Sequence, residues 1–455
     1  MKAFYDVIII GAGPAGFSAA VRLARLKKKV CLVDLDKQHF GGTCLNLGCV
    51  PTKFLENTAE IFRSQKEAAV FGLEANFNAP DMKKIVSCSE KTVLKLRKAV
   101  EWMLNKHQID FLEGKASFVS REKIIVTGSN GSSKDLKASF FIIAVGSRPK
   151  VPKGLEPDNQ RVITSDEAVK LKEVPQSMVI VGGGAIGCEF ASIYSSFGSK
   201  VTIVEARSRL IPGEDEEISR TLNRELKKQN IDIYTSTEIK RLDKKKNQVE
   251  VLIKTVNGEE TLKAEYVLLS CGRIPNTNDL ELEKIALNLN KRFIKVDEFY
   301  KTNLGNIYAV GDVIFSPMFA YTAQKEGVIA AEAISGKNPQ SLDYTNVPRA
   351  IFCAPQVASV GLTESEARKA GEIKIDKQFF KANSLAVIKH KESGFVKIIS
   401  GAKGKKILGV HIIGHQATEI IHEFVLAKCY GLTIDKIKKV LHVHPTISEI
   451  FQEQI

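Results

Sequence analysis

Two parts of the chain repeat one hydrophobic pattern. A short apolar run, at 6–10 and again at 178–181, ends in glycines and is followed by small apolar residues at helical spacing. Apolar runs of this length predict buried strands, and the spacing after them predicts one face of an amphipathic helix. Further on, apolar residues alternate at 395–399 and 408–413, which predicts antiparallel strands packed under helices.

Both apolar runs end in a Gly-x-Gly-x-x-Gly turn, where backbone amides and a helix N-terminus can receive a pyrophosphate. In each copy an acid ends the next apolar strand 18 residues after the third glycine, from Gly16 to Asp34 and from Gly187 to Glu205. That acid is positioned to bond the ribose of an adenosine. One such turn also serves plain packing, but two with the same spacing predict two dinucleotide-binding domains. The turn residues are Gly11, Gly13, Pro14, Ala15 and Gly16 in the first copy and Gly182, Gly184, Ala185, Ile186 and Gly187 in the second.

The second turn is predicted to prefer NAD. A 2′-phosphate about 5 Å from Glu205 is repelled by roughly 3 kcal/mol per unit charge at an effective dielectric near 20. Arg207 and Arg209 follow on the same turn and could offset this repulsion.

Composition is that of an ordinary globular protein, with 26% charged and 44% hydrophobic residues. No apolar run approaches the roughly 18 residues of a membrane span. The N-terminal apolar stretch is broken by Asp6 and runs directly into the glycine turn, so it predicts a core strand rather than a signal peptide. A cytoplasmic protein of about two to four domains is expected.

The net charge of +14 is the unusual feature of the composition. It is compatible with nucleic acid or with another anionic partner. The basic residues form short scattered runs, such as 27–29 and 244–246, without interleaved aromatic residues, and therefore no nucleic acid is predicted. No cysteine or histidine cluster has the spacing of metal ligands, so no metal is predicted either.

Among the eight cysteines, only Cys44 and Cys49 form a close pair. In an ideal helix, residues five apart rise about 7.5 Å and turn about 140°, whereas a disulfide needs Cα atoms about 4.4–6.8 Å apart. If the two are bonded, Cys44 must lie at or before the start of the helix, with Gly41, Gly42 and Gly48 supplying backbone freedom. Two free thiols or an inert disulfide are the alternatives to a redox-active pair. The other cysteines are predicted to be reduced thiols in the core: Cys31, Cys88, Cys188, Cys271, Cys353 and Cys429.

The segment 41–53, GGTCLNLGCVPTK, resembles the redox-disulfide signature of the pyridine nucleotide-disulfide oxidoreductases. Within that family it is most similar to the members that oxidise dihydrolipoyl groups. The resemblance runs through almost the whole chain and includes both glycine turns, 302–312, 355–361 and the His-Pro-Thr at 444–446.

The resemblance implies FAD in the first domain, NAD in the second, and electron flow from a dithiol through the cysteines and FAD to NAD. Cys44 is then the thiol that exchanges with substrate sulfur, and Cys49 is the thiolate against the flavin. Lys53 is expected near the flavin, paired with Glu189. Further cofactor contacts are implied at Thr43, Ala116, Gly146, Asp312 and Ala320 for FAD and at Glu189 and Gly272 for NAD.

A thiol must lose its proton to act as a nucleophile, so a base is needed near the cysteines. The resemblance assigns His444 as the base and Glu449 as the carboxylate that orients it, both acting on the disulfide of the other subunit in a homodimer. Thr446 to Glu449 also fits a capping box, in which Glu449 bonds the backbone instead. Both roles of Glu449 stay open. His442 is expected to be structural.

The implied fold class is α/β, with two Rossmann-like dinucleotide-binding domains and a C-terminal α+β interface (dimerisation) domain. The predicted limits are 1–150 for the FAD domain, 151–275 for the NAD domain, 276–345 for a segment returning to FAD and 346–455 for the interface domain. A homodimer is expected, serving the lipoyl-bearing acyltransferase of a 2-oxo acid dehydrogenase complex, with no nucleic acid and no membrane as partner.

Two departures from the family pattern leave an alternative open. Tyr321 stands where relatives usually have His, and the basic charge is unlike many of them. The alternative is another FAD-dependent NAD(P)H disulfide reductase, similar to glutathione reductase. That type usually has Lys at the position of Thr52 and lacks an acid at that of Glu205, so it fits less well. A non-catalytic flavoprotein that uses the basic charge fits least, since Cys44, Cys49 and His444 are all present.

Overall fold

The computed structural model describes residues 4–77, 79–402 and 406–452. Its backbone divides into two compact units. The first unit takes the described residues within Met1–Phe54, Val86–Lys150 and Arg273–Leu342, and the second those within Leu55–Ile85, Val151–Gly272 and Asp343–Ile455. Among the described residues, no helix is long and apolar enough to cross a membrane.

Both units contain strands and helices. The strands are β1 (Phe4–Ile10), β2 (Val30–Asp34), β3 (Asp110–Glu113), β4 (Lys115–Ser120), β5 (Lys123–Thr127), β6 (Ser133–Ile143), β7 (Ser147–Pro149), β8 (Val162–Thr164), β9 (Ser177–Val181), β10 (Lys200–Val204), β11 (Asp232–Tyr234), β12 (Glu238–Lys244), β13 (Val249–Thr255), β14 (Gly258–Ala264), β15 (Tyr266–Leu269), β16 (Arg273–Pro275), β17 (Leu289–Asn290), β18 (Phe293–Ile294), β19 (Ile307–Ala309), β20 (Arg349–Ile351), β21 (Gln356–Gly361), β22 (Ile373–Phe379), β23 (Phe395–Gly401) and β24 (Ile407–Gly414). The helices are α1 (Pro14–Arg25), α2 (Gly42–Asn46), α3 (Cys49–Ala68), α4 (Met82–Lys106), α5 (Ser165–Ala168), α6 (Ala185–Phe197), α7 (Glu216–Lys228), α8 (Ala320–Ile334), α9 (Glu364–Ala370), α10 (Ser384–Ile388), α11 (Ala417–Cys429) and α12 (Ile434–Ile437).

The first unit is built on a sheet of order β3-β2-β1-β6-β5-β4, with β19 also paired to β6. Strands β2, β1, β6 and β19 run parallel, and the apolar run in β1 is buried from Val7 to Ile10, as expected for a parallel strand covered on both faces. Helix α8 packs on α1, and a Cβ at Gly327 would collide with the carbonyl oxygen of Ala15. The late segment around β19 therefore returns to the sheet that carries the first glycine turn.

The second unit contains a parallel sheet of order β11-β10-β9-β15-β8 and an antiparallel sheet of order β20-β21-β24-β23-β22. The predicted strand at 178–181 is β9, and the alternating runs at 395–399 and 408–413 are the antiparallel neighbours β23 and β24. The predicted α/β fold class is confirmed. The four predicted domain limits stay predictions.

Inside the second unit, Lys397 is almost fully buried, with 3% of its side chain exposed. Its Nζ lies 2.9 Å from Asp215 Oδ1 and 2.6 Å from Glu364 Oε2, and Asp215 also caps α7 by accepting from Glu217 N. Burial alone would raise the pKa of Asp215, but the bond from Lys397 holds that pKa below its usual range. A buried charge persists only with such partners, so this cluster joins α7 and α9 to β23.

We expect Lys397→Met to lower the free energy of unfolding by about 3–5 kcal/mol, because two carboxylates are left without their buried cation. The urea midpoint, followed by circular dichroism, measures this. Lys374→Met is the matched control, since the Lys374 side chain is 62% exposed in its pair with Asp376 and its removal should cost less than about 1 kcal/mol. Equal shifts in the two variants would contradict the assignment.

Candidate active site

Cys44 lies in the short helix α2, and Cys49 is the first residue of α3. The two cysteines are therefore not on one helix, as their spacing requires for a bond. Both are reduced in this structure, with no disulfide bond between them. Gly41 and Gly42 have φ values of 83° and 62°, in the region that favours glycine. Gly48 is favoured for a steric reason instead, because a Cβ at this position would lie only 3.0 Å from Thr43 O.

The cysteine segment lies directly against the first glycine turn. The N–H of Gly41 donates to Ala12 O at 2.9 Å. A Cβ on Gly42 would lie 2.7 Å from the Cα of Gly13, closer than non-bonded carbons approach. Within the first unit, the structure thus brings together the two motifs that the sequence places about 30 residues apart.

The two thiols form an interacting pair. Their hydrogen bond, together with burial, raises the pKa of Cys44, and the Lys53 cation opposes this only weakly. Cys49 starts a helix, where the helix dipole favours a thiolate. In the dithiol, the proton is therefore held on Cys44, and a base is needed to remove it.

An Arg–Asn contact that the sequence did not reveal fixes the segment between the cysteines. Asn46 Nδ2 donates to the carbonyl oxygens of Phe40 and Gly42 at 3.0 and 2.9 Å. Its Oδ1 accepts from Arg97 Nε and Nη2 at 3.2 and 2.7 Å. Arg97 lies on α4, far along the chain, so no local pattern could have identified it as a positioning residue.

The first glycine turn is supported by Asp34. Its Oδ2 accepts from Ala12 N at 2.6 Å and its Oδ1 from Leu35 N at 2.7 Å. Burial raises the pKa of Asp34, and these two bonds oppose the rise. No side chain caps the N-terminus of α1, and its first turn carries no acid. The uncapped N–H groups suit a pyrophosphate, and each Asp34 oxygen keeps a lone pair for a ribose hydroxyl.

The second unit repeats this construction at the second glycine turn. Glu205 Oε2 accepts from Gly183 N at 2.6 Å, and its Oε1 accepts from Arg207 N at 2.7 Å. A Cβ on Gly187 would collide with Gly182 O, just as one on Gly16 would collide with Gly11 O. Helix α6 also begins without a side-chain cap or a first-turn acid. Both turns therefore fit a dinucleotide in the same way.

The two arginines after Glu205 differ in their availability. Arg209 Nη2 donates to the carbonyl oxygens of Pro212 and Glu214 at 2.9 and 3.2 Å, which hold it within its own turn. The Arg207 side chain is exposed and has no ion-pair partner among the residues that the structure describes. Only Arg207 is thus free to approach a 2′-phosphate.

Asp312 lies in a 3-10 turn, Gly311–Val313, at the end of β19. Its Oδ2 accepts from Ser147 Oγ at 2.5 Å, and Ser147 Oγ accepts from Arg273 Nε at 2.7 Å. The N–H of Gly311 donates to Glu326 Oε2 at 2.6 Å, and Glu326 is completely buried. Ser147, Arg273 and Glu326 were not found from the sequence, because they come from other elements of the first unit.

The other predicted cofactor contacts lie at the ends or edges of elements. In the first unit, Thr43 is in α2, Ala116 in β4, Gly146 between β6 and β7 with a φ of 67°, and Ala320 at the start of α8. In the second unit, Gly272 follows β15 with a φ of 99°. Glu189 Oε1 accepts from Phe352 N at 2.9 Å. Glu189 and Lys53 belong to different units, and their pairing stays a prediction.

His444 and Glu449 contact each other in the second unit. His444 Nδ1 lies 2.8 Å from Glu449 Oε1, while Glu449 Oε2 accepts from Thr446 N at 2.7 Å. The two roles left open for Glu449 are therefore not exclusive, since each uses its own oxygen. The bonds from Thr446 and His444 lower the pKa of Glu449. The His444 side chain is 70% exposed, whereas His442 is buried with Nε2 3.1 Å from Glu423 Oε2.

The remaining cysteines are mostly buried or half-buried, but the prediction of a core thiol is wrong for Cys429, which is exposed at the end of α11. Among the described residues, no group of histidines, cysteines and acids could hold a metal ion.

Residues 5–327 match the family model of the pyridine nucleotide-disulphide oxidoreductases, and residues 347–455 match the dimerisation domain of that family. The chain is 39% identical to a dihydrolipoyl dehydrogenase of Chlorobaculum parvum, covering 99% of this chain and 96% of the relative. It is also 39% identical to one of Bacillus subtilis, covering 100% and 98%.

Solved structures agree with the fold. The HOCl-induced flavoprotein disulfide reductase RclA from Escherichia coli is 29% identical, with a TM-score of 0.88 over 98% of each chain. Its Cu(II) complex has a TM-score of 0.89, over 99% of this chain and 98% of that chain. LpdA from Mycobacterium tuberculosis has a TM-score of 0.91 over 98% of each chain at 23% identity, which bears on the fold alone.

We expect Arg97→Ala to lower the turnover number about tenfold, because losing a charged hydrogen bond worth about 1.5–3 kcal/mol frees the Asn46 segment. The two cysteines should also react faster with a thiol reagent. A loss of stability elsewhere in the first unit would not produce this increase. If Arg97 acts through Asn46, the double variant Arg97→Ala, Asn46→Ala should be no slower than Asn46→Ala alone. Additive losses would contradict that coupling.

Proposed function

The chain belongs to the pyridine nucleotide-disulphide oxidoreductase family, and on that premise we propose that it is a dihydrolipoyl dehydrogenase that reduces NAD. The family uses FAD and NAD(H), and its dimerisation domain supports a homodimer. Full-length similarity to relatives of that name supports the proposal. The observation that carries it is the contact of the Cys44–Cys49 segment with the first dinucleotide turn.

The cysteines carry the sulfur chemistry in this proposal. A thiolate of the dihydrolipoyl group attacks Cys44 Sγ of the oxidised pair, the Cys44–Cys49 bond breaks, and Cys49 leaves as a thiolate. The second substrate sulfur then displaces Cys44 from the mixed disulfide, which releases oxidised lipoyl and two reduced cysteines. FAD, when bound, supplies an acceptor for this electron pair and a donor to NAD. The first-unit residues around Asp34 and Asp312 would hold it.

His444 accepts the proton that this exchange releases. Glu449 is ionised and accepts a hydrogen bond of 2.8 Å from the Nδ1–H of the imidazole, so Nε2 carries the free lone pair. Such a base is required because a dihydrolipoyl thiol must lose its proton before its sulfur can attack Cys44. In the homodimer, His444 of one subunit serves the cysteine pair of the other, as the family resemblance implies.

A lipoyl-bearing acyltransferase of a 2-oxo acid dehydrogenase complex, in the cytoplasm, is the partner we propose for this activity. The second candidate is a flavoprotein disulfide reductase driven by NADPH. The similarity to RclA and the free side chain of Arg207 favour it. Glu205 disfavours it, because a 2′-phosphate beside a carboxylate is repelled.

Anaerobic titration of the purified FAD-loaded protein with dihydrolipoamide tests the proposal. The flavin should be reduced, and added NAD should then be converted to NADH. Cys49→Ser should keep its flavin, but neither flavin reduction by dihydrolipoamide nor NADH formation should occur, because Cys44 can no longer form a disulfide with residue 49. Reduction by NADPH but not by dihydrolipoamide would replace the proposal with the second candidate.

We expect His444→Gln to slow dihydrolipoamide oxidation by about 10²–10⁴, the usual contribution of a general base. The loss should shrink at high pH, where solvent removes the thiol proton without help. Steady-state rates between neutral and alkaline pH measure this, with His422→Gln as a control at another histidine of the second unit. An unchanged rate would remove His444 from the mechanism.

A further inference from the structure

The outer face of α4 is a cationic surface in the first unit. Six exposed residues define it: Lys91, Leu94, Lys95, Lys98, Trp102 and Lys106. At 100° and 1.5 Å per residue, they occupy an arc of about 120° and a length of about 22 Å. We call this set the lysine face.

None of the six residues of the lysine face is an acid. The nearest acids on α4 are Glu90 and Glu101, which lie to the side of the arc, and Glu101 is already paired with Lys37 at 3.0 Å. Among the described residues, Lys91, Lys95 and Lys98 have no ion-pair partner. Like charges at intervals of three and four disfavour a helix. The arrangement therefore costs stability in the isolated chain, and an acidic partner would relieve that cost.

Two large apolar side chains stand among these lysines. Leu94 is 46% exposed and Trp102, the single tryptophan of the chain, is 57% exposed. Lys106 Nζ lies 4.8 Å from the centre of the Trp102 ring. Exposed tryptophan is the residue type that most often anchors an interface. The face thus combines an apolar anchor with cations that would steer an acidic protein.

The same helix reaches the cysteine segment from its other side. Arg97, next to Lys98 in sequence, bonds Asn46 between the two cysteines at 2.7 Å. A partner on the lysine face is therefore separated from the cysteine segment by little more than the width of one helix, about 10–12 Å.

We propose that the lysine face docks an acidic carrier domain that presents the substrate dithiol to Cys44. The inference rests on the proposed function and adds to it the surface that receives the protein-bound substrate. Free dihydrolipoamide makes no use of this face, because it has no acidic domain. The face therefore acts on the KM of the carrier-bound substrate and leaves the chemical steps alone.

Kinetics with two substrates test the proposal. The probes are free dihydrolipoamide and the isolated dihydrolipoylated domain of a bacterial 2-oxo acid dehydrogenase acyltransferase with a net negative charge. Lys95→Glu, Lys98→Glu should raise the KM for the domain about tenfold or more, with the turnover number and all constants for dihydrolipoamide unchanged. The KM for the domain should also rise with salt in the wild type, and less so in this variant.

Lys245→Glu, Lys246→Glu is the matched control, because it makes the same change in net charge at exposed lysines of the second unit. Equal effects of the two variants on the domain would show steering by net charge alone and would overturn the proposal. An unchanged KM in the lysine-face variant, with dihydrolipoamide still oxidised, would overturn docking but not the proposed function. Failure of the wild type to oxidise dihydrolipoamide would overturn both.

Trp102 gives a direct readout of binding that does not depend on turnover. Its fluorescence should change saturably when the acidic domain is added to the FAD-loaded protein, and Trp102→Phe should remove the signal. A saturable change with an RNA oligonucleotide, with vesicles of anionic lipid or on raising the protein concentration, but none with the domain, would assign the face to another occupant and overturn the proposal.

Discussion

The contact between two glycine backbones, Gly13 and Gly42, determines where the cysteine pair lies. A Cβ on Gly42 would lie only 2.7 Å from the Cα of Gly13. The cysteine segment can therefore pack on the dinucleotide turn only because Gly42 has no side chain. The turn is itself fixed by Asp34, which accepts from Ala12 N. The position of Cys44 relative to a pyrophosphate on that turn is therefore set by this backbone contact, which the side chains of Asp34 and Asn46 support.

The two glycine turns are stabilised by the same type of hydrogen bond, from a backbone amide of the turn to a carboxylate. In each, one carboxylate oxygen bonds the amide of the second turn residue, Ala12 or Gly183, and the other bonds an amide just after the acid. The acid therefore holds the conformation of the turn even when no ribose is bound to it. Loss of Glu205 would disturb phosphate binding as well as nucleotide selection, because one side chain supports both. The discrimination against a 2′-phosphate then depends on Glu205 and Arg207, since Arg209 is held by carbonyl oxygens.

Local sequence predicted the strand, turn and helix of both dinucleotide motifs, because each is encoded within about 30 consecutive residues. It could not identify Arg97, Glu326 or Lys397, whose partners lie on distant elements of their units. From the sequence, orienting His444 and capping the backbone at Thr446 were alternative roles for Glu449. A carboxylate has two oxygens, and the structure uses one for each role. Contacts between elements depend on packing, and a single sequence carries no periodic signal for them.

The reduced cysteines and the base are each ordered within their own unit. The thiol hydrogen bond and burial keep the proton on Cys44, and Thr446 N and His444 keep Glu449 ionised. A thiolate is the reactive form of cysteine, so Cys44 in the dithiol is a poor nucleophile without a base. Only the assembly that brings a base to Cys44 makes it nucleophilic. In the proposed homodimer, the nucleophilicity of the reduced Cys44 therefore depends on the base that the other subunit brings to it.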